Sequence, residues 1–318
     1  MIQEDRPDIH GPHIADRRFM ERTGKDLTCP LLSDSIDDYP GGIIIPVDKP
    51  YRWTSADVIR KIKFQAVRHF RKKNLKVGHA GTLDPLATGV LLVCIGKATR
   101  LAEELQNHDK EYVAGITFGA TTPSYDLEKK IDRLFPHAHI TRELLLETLQ
   151  HFIGEQEQVA PLFSAKSVDG VRAYELARKL YMQHGGNPEG LYGNDIFDTA
   201  ASGLIRTSLI TISSLDLLDF NPDGPCRLLQ EMYTGEPDDA GRQSLRINVE
   251  DNRHLGLPEA AVRIACSKGT YVRAFARDLG EALGSGAHLS SLQRSRSGEF
   301  RVEDALDIRT ATALFSFI

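Results

Sequence analysis

Apolar positions fall in short runs, and their spacing changes several times along the chain. Ile43 to Val47 is a continuous apolar run closed by Asp48-Lys49-Pro50, which predicts a short strand. Thr54 or Ser55 offers a side-chain cap for a following helix, with Val58, Ile59, Ile62 and Val67 as its apolar stripe and charge elsewhere. Gly78 to Thr88 is too rich in glycine, proline and polar residues for a regular element, and Val90 to Ile95 follows as an apolar strand bounded by Gly96. Partial alternation predicts a strand over Lys110 to Phe118, and Thr141 to Phe152 reads as a helix. The β-branched and leucine residues of Thr207 to Phe220 suit sheet. Val262 to Cys266 is a strand, Gly269 a turn, and Tyr271 to Leu283 a helix with Val272, Phe275, Ala276 and Leu279 on one side, stopped by Gly284-Ser285-Gly286. This order is neither a run of βα repeats nor hairpins alone, so the expected class is α+β with a substantial mixed or antiparallel sheet.

Composition adds an organisation to these elements. Residues 1–41 are polar, acidic and aperiodic, and are expected to be a flexible leader or a lineage-specific extension. Residues 42–305 form the expected folded domain, with an acidic insertion over 221–260, and residues 306–318 a short tail. The net charge of -5 hides a pattern: residues 41–110 carry thirteen basic and six acidic side chains, and residues 261–301 carry seven and three. Residues 221–260 carry eight acidic and four basic ones. A nucleic acid would be drawn to the two basic segments by their local field rather than by total charge. No apolar run approaches a membrane span and no signal-peptide core opens the chain, so a soluble cytoplasmic protein is expected. Cys29, Cys94, Cys226 and Cys266 form no CxxC pair, so no zinc is expected. Cys94, inside an apolar run, reads as a small buried hydrophobe.

The segment with most chemical content is Lys76-Val77-Gly78-His79-Ala80-Gly81-Thr82-Leu83-Asp84-Pro85-Leu86-Ala87-Thr88-Gly89-Val90-Leu91. It places one carboxylate in a glycine-rich loop between a basic helix and an apolar strand. Pro85 restricts the backbone at Asp84, and the glycines let the chain pass close to a ligand. From these residues alone Asp84 is a nucleophile, a general base, a metal ligand or a turn cap. The loop lacks the spacing of a phosphate-binding loop, no GxGxxG opens a strand-turn-helix, and there is no HExxH. Ser164 and Ser267 lack a GxSxG setting.

The run from Gly78 to Leu91 resembles the catalytic motif of the TruB family of tRNA pseudouridine synthases. Val47-Asp48-Lys49-Pro50 with Trp53-Thr54-Ser55 resembles the family's first motif, and Lys110-Glu111-Tyr112 its second. Ser267-Lys268-Gly269-Thr270-Tyr271-Val272-Arg273 resembles a third, and Gly286-Ala287-His288-Leu289 with Leu292-Gln293-Arg294 the last. The motifs stand in family order across roughly residues 42–305. The resemblance implies a pseudouridine synthase fold, a central mixed, largely antiparallel sheet flanked by helices, with a catalytic cleft. It implies isomerisation of the uridine at position 55, in the T arm of tRNA, with no cofactor and no metal.

On that resemblance Asp84 is the catalytic aspartate, acting either by attack on C1′ of the ribose or as a base at C2′. Tyr112 would stack on the target base and Tyr271 would assist proton transfer at C5. Arg273 would pair with Asp84, His79 would hold the flipped nucleotide or a neighbouring phosphate, and Leu289 would wall the pocket. Lys61, Lys63, Arg68, Arg71, Lys72, Lys73 and Lys76 are the candidates for neutralising the RNA backbone, together with Lys166 from a stretch, Ala160 to Tyr174, that also resembles the family. The partner is then the T-arm stem-loop of tRNA, with no membrane, no obligate protein partner and a monomer expected. The leader and the acidic segment have no family counterpart, and the short C-terminus predicts a bacterial, stand-alone type without a PUA domain. The rival expectations are an inactive RNA-binding or tRNA-folding module and a synthase acting on another RNA.

Overall fold

A computed structural model describes residues 11–17, 32–161, 167–168, 171–172, 207–229 and 247–315. Its strands are β1 (His13–Ile14), β2 (Ile43–Lys49), β3 (Val77–Ala80), β4 (Ala87–Ile95), β5 (Lys110–Phe118), β6 (Ala120–Thr121), β7 (Arg133–Leu134), β8 (Gly154–Val159), β9 (Ser167–Val168), β10 (Val171–Arg172), β11 (Thr207–Asn221), β12 (Glu259–Cys266), β13 (Ala287–Ser297) and β14 (Phe300–Arg301). The α-helices that bear on the site are α1 (Ser55–His69), α2 (Ala102–Asn107), α3 (Arg142–Gln150), α4 (Val272–Ala282) and α5 (Ile308–Ala313). Among the described residues, those up to Lys110 and from Gln293 onward form one compact unit, and those from Glu111 to Leu292 a second.

The first unit is organised around β4, which is buried along nearly its whole length. Antiparallel β2 pairs with it from Ile43↔Ile95 to Lys49↔Gly89, and antiparallel β3 from Val77↔Ile95 to Ala80↔Leu92. Gly89 stands so close to β13 that an added Cβ would lie 2.2 Å from the Arg294 carbonyl oxygen, so only glycine fits. Ile44, Ala80, Val90, Leu92, Cys94, Ala98, Leu105 and Phe300 form one apolar cluster, which gives Cys94 the small-hydrophobe role expected of it.

The outer edge of β2 is covered by two separate pieces of chain. His13–Ile14 runs parallel to Ile43–Ile44, with the His13 N–H donating to the Gly42 carbonyl and the Ala15 N–H to that of Ile44. Further along, the Leu306 N–H donates to the Pro46 carbonyl and the Asp48 N–H to that of Leu306. Helix α1 begins with a capping box, Thr54 accepting from the Asp57 N–H and Asp57 from the Thr54 N–H, each at 3.1 Å. Its buried positions are Ser55, Val58, Ile62, Ala66 and His69, spaced by three or four residues as one helical face requires. Ile59 and Val67 are only partly buried, and Ala66 and His69 complete the face instead. His69 packs edge-on to Phe70 and Phe315, and Tyr39 to Phe70.

In the second unit the strand order is β5-β12-β11-β8. β11 pairs antiparallel with both β12 and β8, and its register against β12 shifts between Ile212 and Ser214 and again between Leu217 and Asp219. α4 buries Val272, Arg273, Ala274, Phe275, Ala276, Leu279 and Gly280, and Phe275 meets Phe152 edge-on at 5.4 Å. This is the α+β class that the element order predicts. Of the strands longer than two residues, three escape that reading: β3 runs into the stretch expected to be irregular, and β8 and β13 carry too many polar residues to stand out. Pairing with neighbouring strands, rather than local propensity, makes them sheet.

Candidate active site

Asp84 lies half-buried in the loop between β3 and β4. The main chain on either side of it is held by three buried side chains from elsewhere in the first unit. Ser55 Oγ accepts from the Leu83 N–H at 2.9 Å and donates to the Leu83 carbonyl at 3.2 Å. Lys49 Nζ donates to the carbonyls of Pro85 at 3.2 Å, Pro50 at 2.9 Å and Trp53 at 2.6 Å. Arg294 donates from Nη2 to the Gly81 carbonyl at 3.1 Å and from Nε to that of Val90 at 2.7 Å. Asp48 adds a fourth tie, accepting from the Gly89 N–H at 2.9 Å. A loop of poor intrinsic regularity is thereby given one shape, because its carbonyls are satisfied by buried donors that cannot leave without exposing a buried unpaired group.

Lys49 has no exposed surface, and burial brings its amine down to about 7, opposed by attraction from the Asp84 and Asp48 carboxylates. His79, on β3, is held below its ordinary range first by burial and then by the Arg294 charge, which keeps the imidazole neutral at pH 7. Sequence reasoning places Lys49, Ser55 and Arg294 inside family-like motifs but gives none of them a part in holding the Asp84 loop; Ser55 enters only as a candidate helix cap, a place that Thr54 takes. Nothing in the sequence marks a lysine or an arginine as buried.

The second unit carries the other predicted pocket residues. Tyr112 lies on β5 and is 9% exposed, and Leu289 lies on β13 and is buried. Tyr271 stands at the N-cap of α4, where its N–H donates to Gln158 Oε1 at 2.8 Å and its carbonyl accepts from Gln158 Nε2 at 3.2 Å. One buried amide thus fixes the backbone from which the Tyr271 ring projects. Arg273, in the first turn of α4, is buried; its Nη1 donates to the Ser124 carbonyl at 3.2 Å and lies 3.9 Å from Asp126 Oδ2. Asp126 in turn accepts from Ser124 Oγ at 2.5 Å and from the Glu128 N–H at 3.0 Å, while Thr122 Oγ1 donates to the Asp126 carbonyl. The same turn accepts the Leu289 N–H at the Tyr125 carbonyl, 3.0 Å away. Arg273 and Leu289, far apart in sequence, are therefore tied to one short turn.

Lys61, Lys63, Arg68, Arg71, Lys72, Lys73 and Lys76 lie along α1 and the segment after it, and all seven are exposed. Lys72 lies 3.6 Å from Asp37, and the Arg68 guanidinium sits over the Phe64 ring. Lys166 lies outside the described residues. Among the described residues no group of three His, Cys, Asp or Glu side chains could hold a metal ion, and no helix is long and apolar enough to cross a membrane.

Compared with known proteins, the chain is 44% identical to tRNA pseudouridine synthase B of Phocaeicola vulgatus over 273 residues, which is 86% of this chain and 93% of that one. It belongs to the TruB family. The match to tRNA pseudouridine synthase B of Thermus thermophilus is 39% over 261 residues, 82% of this chain and 74% of the relative. The model of the TruB family pseudouridylate synthase N-terminal domain matches residues 68–183, a span that contains Asp84 and Tyr112. Among solved structures, the chain resembles one in a crystal structure of a Cbf5-Nop10-Gar1 complex, with a TM-score of 0.51 and 23% identity, covering 96% of this chain and 59% of that one. At that identity the shared property is the fold, and it is the pseudouridine synthase fold that the TruB motifs imply.

Proposed function

We propose that this chain converts one uridine in the T arm of tRNA, at position 55, to pseudouridine, with Asp84 as its catalytic residue. The observation that carries the reading is the Asp84 loop, a carboxylate on a main chain fixed from three directions by Lys49, Ser55 and Arg294, in a chain of the TruB family. The reaction breaks the bond from C1′ of the ribose to N1 of uracil and forms one from C1′ to C5. The proton on C5 is lost and one is gained at N1, so no external reductant, oxidant or energy source is consumed. Asp84 serves as nucleophile at C1′ or as base at C2′, and both routes need one carboxylate oxygen held near the sugar at a nearly constant angle. A loop with little freedom meets that need.

In this reading Tyr112 stacks on the base, Tyr271 assists removal of the C5 proton, Arg273 supplies positive charge and Leu289 an apolar wall. His79, neutral at pH 7, engages the displaced nucleotide or its phosphate through hydrogen bonds rather than charge. Extracting a stacked base costs a few kcal/mol, which phosphate contacts and the stacking surface offset. Lys61, Lys63, Arg68, Arg71, Lys72, Lys73 and Lys76 supply those phosphate contacts. We propose further that the protein works in the cytoplasm as a monomer, without cofactor or obligate protein partner.

The test is tritium release from a T-arm RNA carrying 5-[³H]uridine only at position 55, with the native protein and Asp84→Asn side by side. Release by the native protein alone is the expected result. No release by either, with RNA binding kept, would make the chain a binding module; neither release nor binding would remove the T arm as its target.

A further inference from the structure

Tyr125 takes no part in the chemistry above, yet its backbone is the most constrained point of the turn that holds Arg273. Its φ is 55°, in the left-handed region that a bulky L side chain rarely enters and that glycine would adopt freely. The two residues beside it are the ones that engage the guanidinium, Ser124 through its carbonyl and Asp126 through its carboxylate. The left-handed residue between them turns the chain so that both groups meet one arginine nitrogen. An extended Tyr125 would carry them apart. The Tyr125 carbonyl, meanwhile, receives the Leu289 N–H.

A tyrosine persists in such a conformation only where its surroundings determine it. Here the ring supplies that determination. It is half-buried, and the Arg277 guanidinium lies over it, 5.7 Å from its centroid. Arg277 is one helical turn beyond Arg273 on α4, so the two arginines share a helix face. Arg273 grips the backbone of the turn and Arg277 covers its ring. Arg277 is itself fixed, donating to the Val159 carbonyl at 3.1 Å and to Asp278 Oδ1 at 2.8 Å.

We infer that Tyr125 is a positioning residue for the isomerisation: its covered ring holds the turn left-handed, and the turn sets the direction of the Arg273 guanidinium and the place of the Leu289 main chain. The inference rests on the role proposed for Arg273, and it assigns to Tyr125 an effect on rate and none on RNA affinity. A displacement of about 1 Å at a reacting centre lowers rate on the order of a hundredfold, and a loosened turn would produce part of that loss.

The experiment measures single-turnover rate and RNA dissociation constant for Tyr125→Ala, Tyr125→Phe and Arg277→Ala, each checked for a native melting transition. Tyr125→Ala is expected to slow the chemical step roughly tenfold or more, with affinity within twofold of native. Tyr125→Phe, which keeps the ring, should restore the native rate. A Tyr125→Ala rate within twofold of native overturns the inference. So does weakened affinity with an unchanged rate, which would place the ring against RNA. Should Tyr125→Ala fail to fold, Arg277→Ala decides, since it uncovers the ring while leaving the residues of the turn themselves unchanged: slowing of threefold or more is expected, and a native rate overturns the inference. An inactive native protein would count against the proposed reaction alone. The Arg273 Nε–H resonance, assigned with Arg273→Lys, then carries the test: it should shift in Tyr125→Ala and stay in Tyr125→Phe, and an unmoved resonance overturns the inference.

Discussion

The Asp84 loop in the first unit and the Thr122–Asp126 turn in the second immobilise the side chains proposed for catalysis by opposite means. The loop is gripped through its main chain by Lys49, Ser55 and Arg294, so Asp84 inherits its place from the peptide that carries it. At the turn the functional side chain is itself what is gripped, the Arg273 guanidinium against a carbonyl and a carboxylate on a backbone bent at Tyr125. A short carboxylate has one rotatable bond beyond its Cβ and is aimed well by fixing its backbone. An arginine has a long flexible stem and must be fixed near its tip. Changes to Asp84 should therefore act on chemistry alone, and changes to the residues beneath it on stability as well.

The largest expected effect is at the carboxylate. Asp84→Asn should lower the single-turnover rate by roughly a thousandfold or more, because it removes the nucleophile or base outright, while the urea midpoint stays within error of native. A midpoint shift as large as that of a core variant would mean that Asp84 belongs to the clamp. Next, Arg273→Lys keeps the charge and loses the planar fork, and should cost on the order of tenfold to a hundredfold in rate. A native rate would show that charge without geometry suffices and would erase the contrast between the two regions.

Lys49→Met should act chiefly on stability, by roughly 2–3 kcal/mol in urea unfolding, since three carbonyls lose their donor. It also carries a pH signature. The buried amine sits at about 7 against an ordinary 10.5, so between those values the folded protein binds fewer protons than the unfolded chain. Unfolding then takes up a proton, and the Lys49 contribution makes the native protein more stable as pH rises through that window, by at most about 1.4 kcal/mol per pH unit. Urea midpoints at pH 6, 7, 8 and 9 should rise more steeply in native protein than in Lys49→Met; parallel profiles would mean that the amine stays charged throughout. The smallest effect is expected at the basic face. Neutralising Lys72 and Lys73 with glutamine should reduce the salt dependence of RNA binding by about one unit of slope for each phosphate no longer neutralised, with the saturated rate unchanged. An unchanged slope would make these two lysines ordinary solvated charges.

Much of this was legible in the sequence where hydrophobicity alone decides the outcome. The apolar run through Ile43, the strand from Val90 to Ile95 and the α4 stripe of Val272, Phe275, Ala276 and Leu279 all occupy core positions. Asp84 was visible because glycine and proline isolate it, and family resemblance gave it a role that spacing could not. The supports were not legible. Lys49 follows an apolar strand and looks like its polar end, yet it is fully buried, and Arg294 sits in the Ser- and Arg-rich run of β13, which gives no sign of a strand interior. Arg294 is met by carbonyls from a distant segment and Lys49 by one distant carbonyl, that of Pro85, beside two local ones, so the burial of both belongs to the folded arrangement and not to any local pattern. The left-handed backbone at Tyr125 is hidden for the same reason, since nothing local distinguishes it from an extended tyrosine.

The two pieces of chain along the outer edge of β2 bear on fidelity of folding. Side chains alternate along a strand, so a slip of one residue would turn every side chain of β2 to its opposite face. Lys49 would then point away from the Pro85 carbonyl, and the Asp84 loop would lose its deepest tie while the rest of the sheet looked nearly native. His13–Ile14 and Leu306 pair with β2 on the side away from β4, at opposite ends of the strand, and act as two pins through one ruler. They also occupy main-chain groups that would otherwise invite pairing with another molecule. A peripheral stretch of an acidic leader thus protects the alignment on which the carboxylate proposed for catalysis depends.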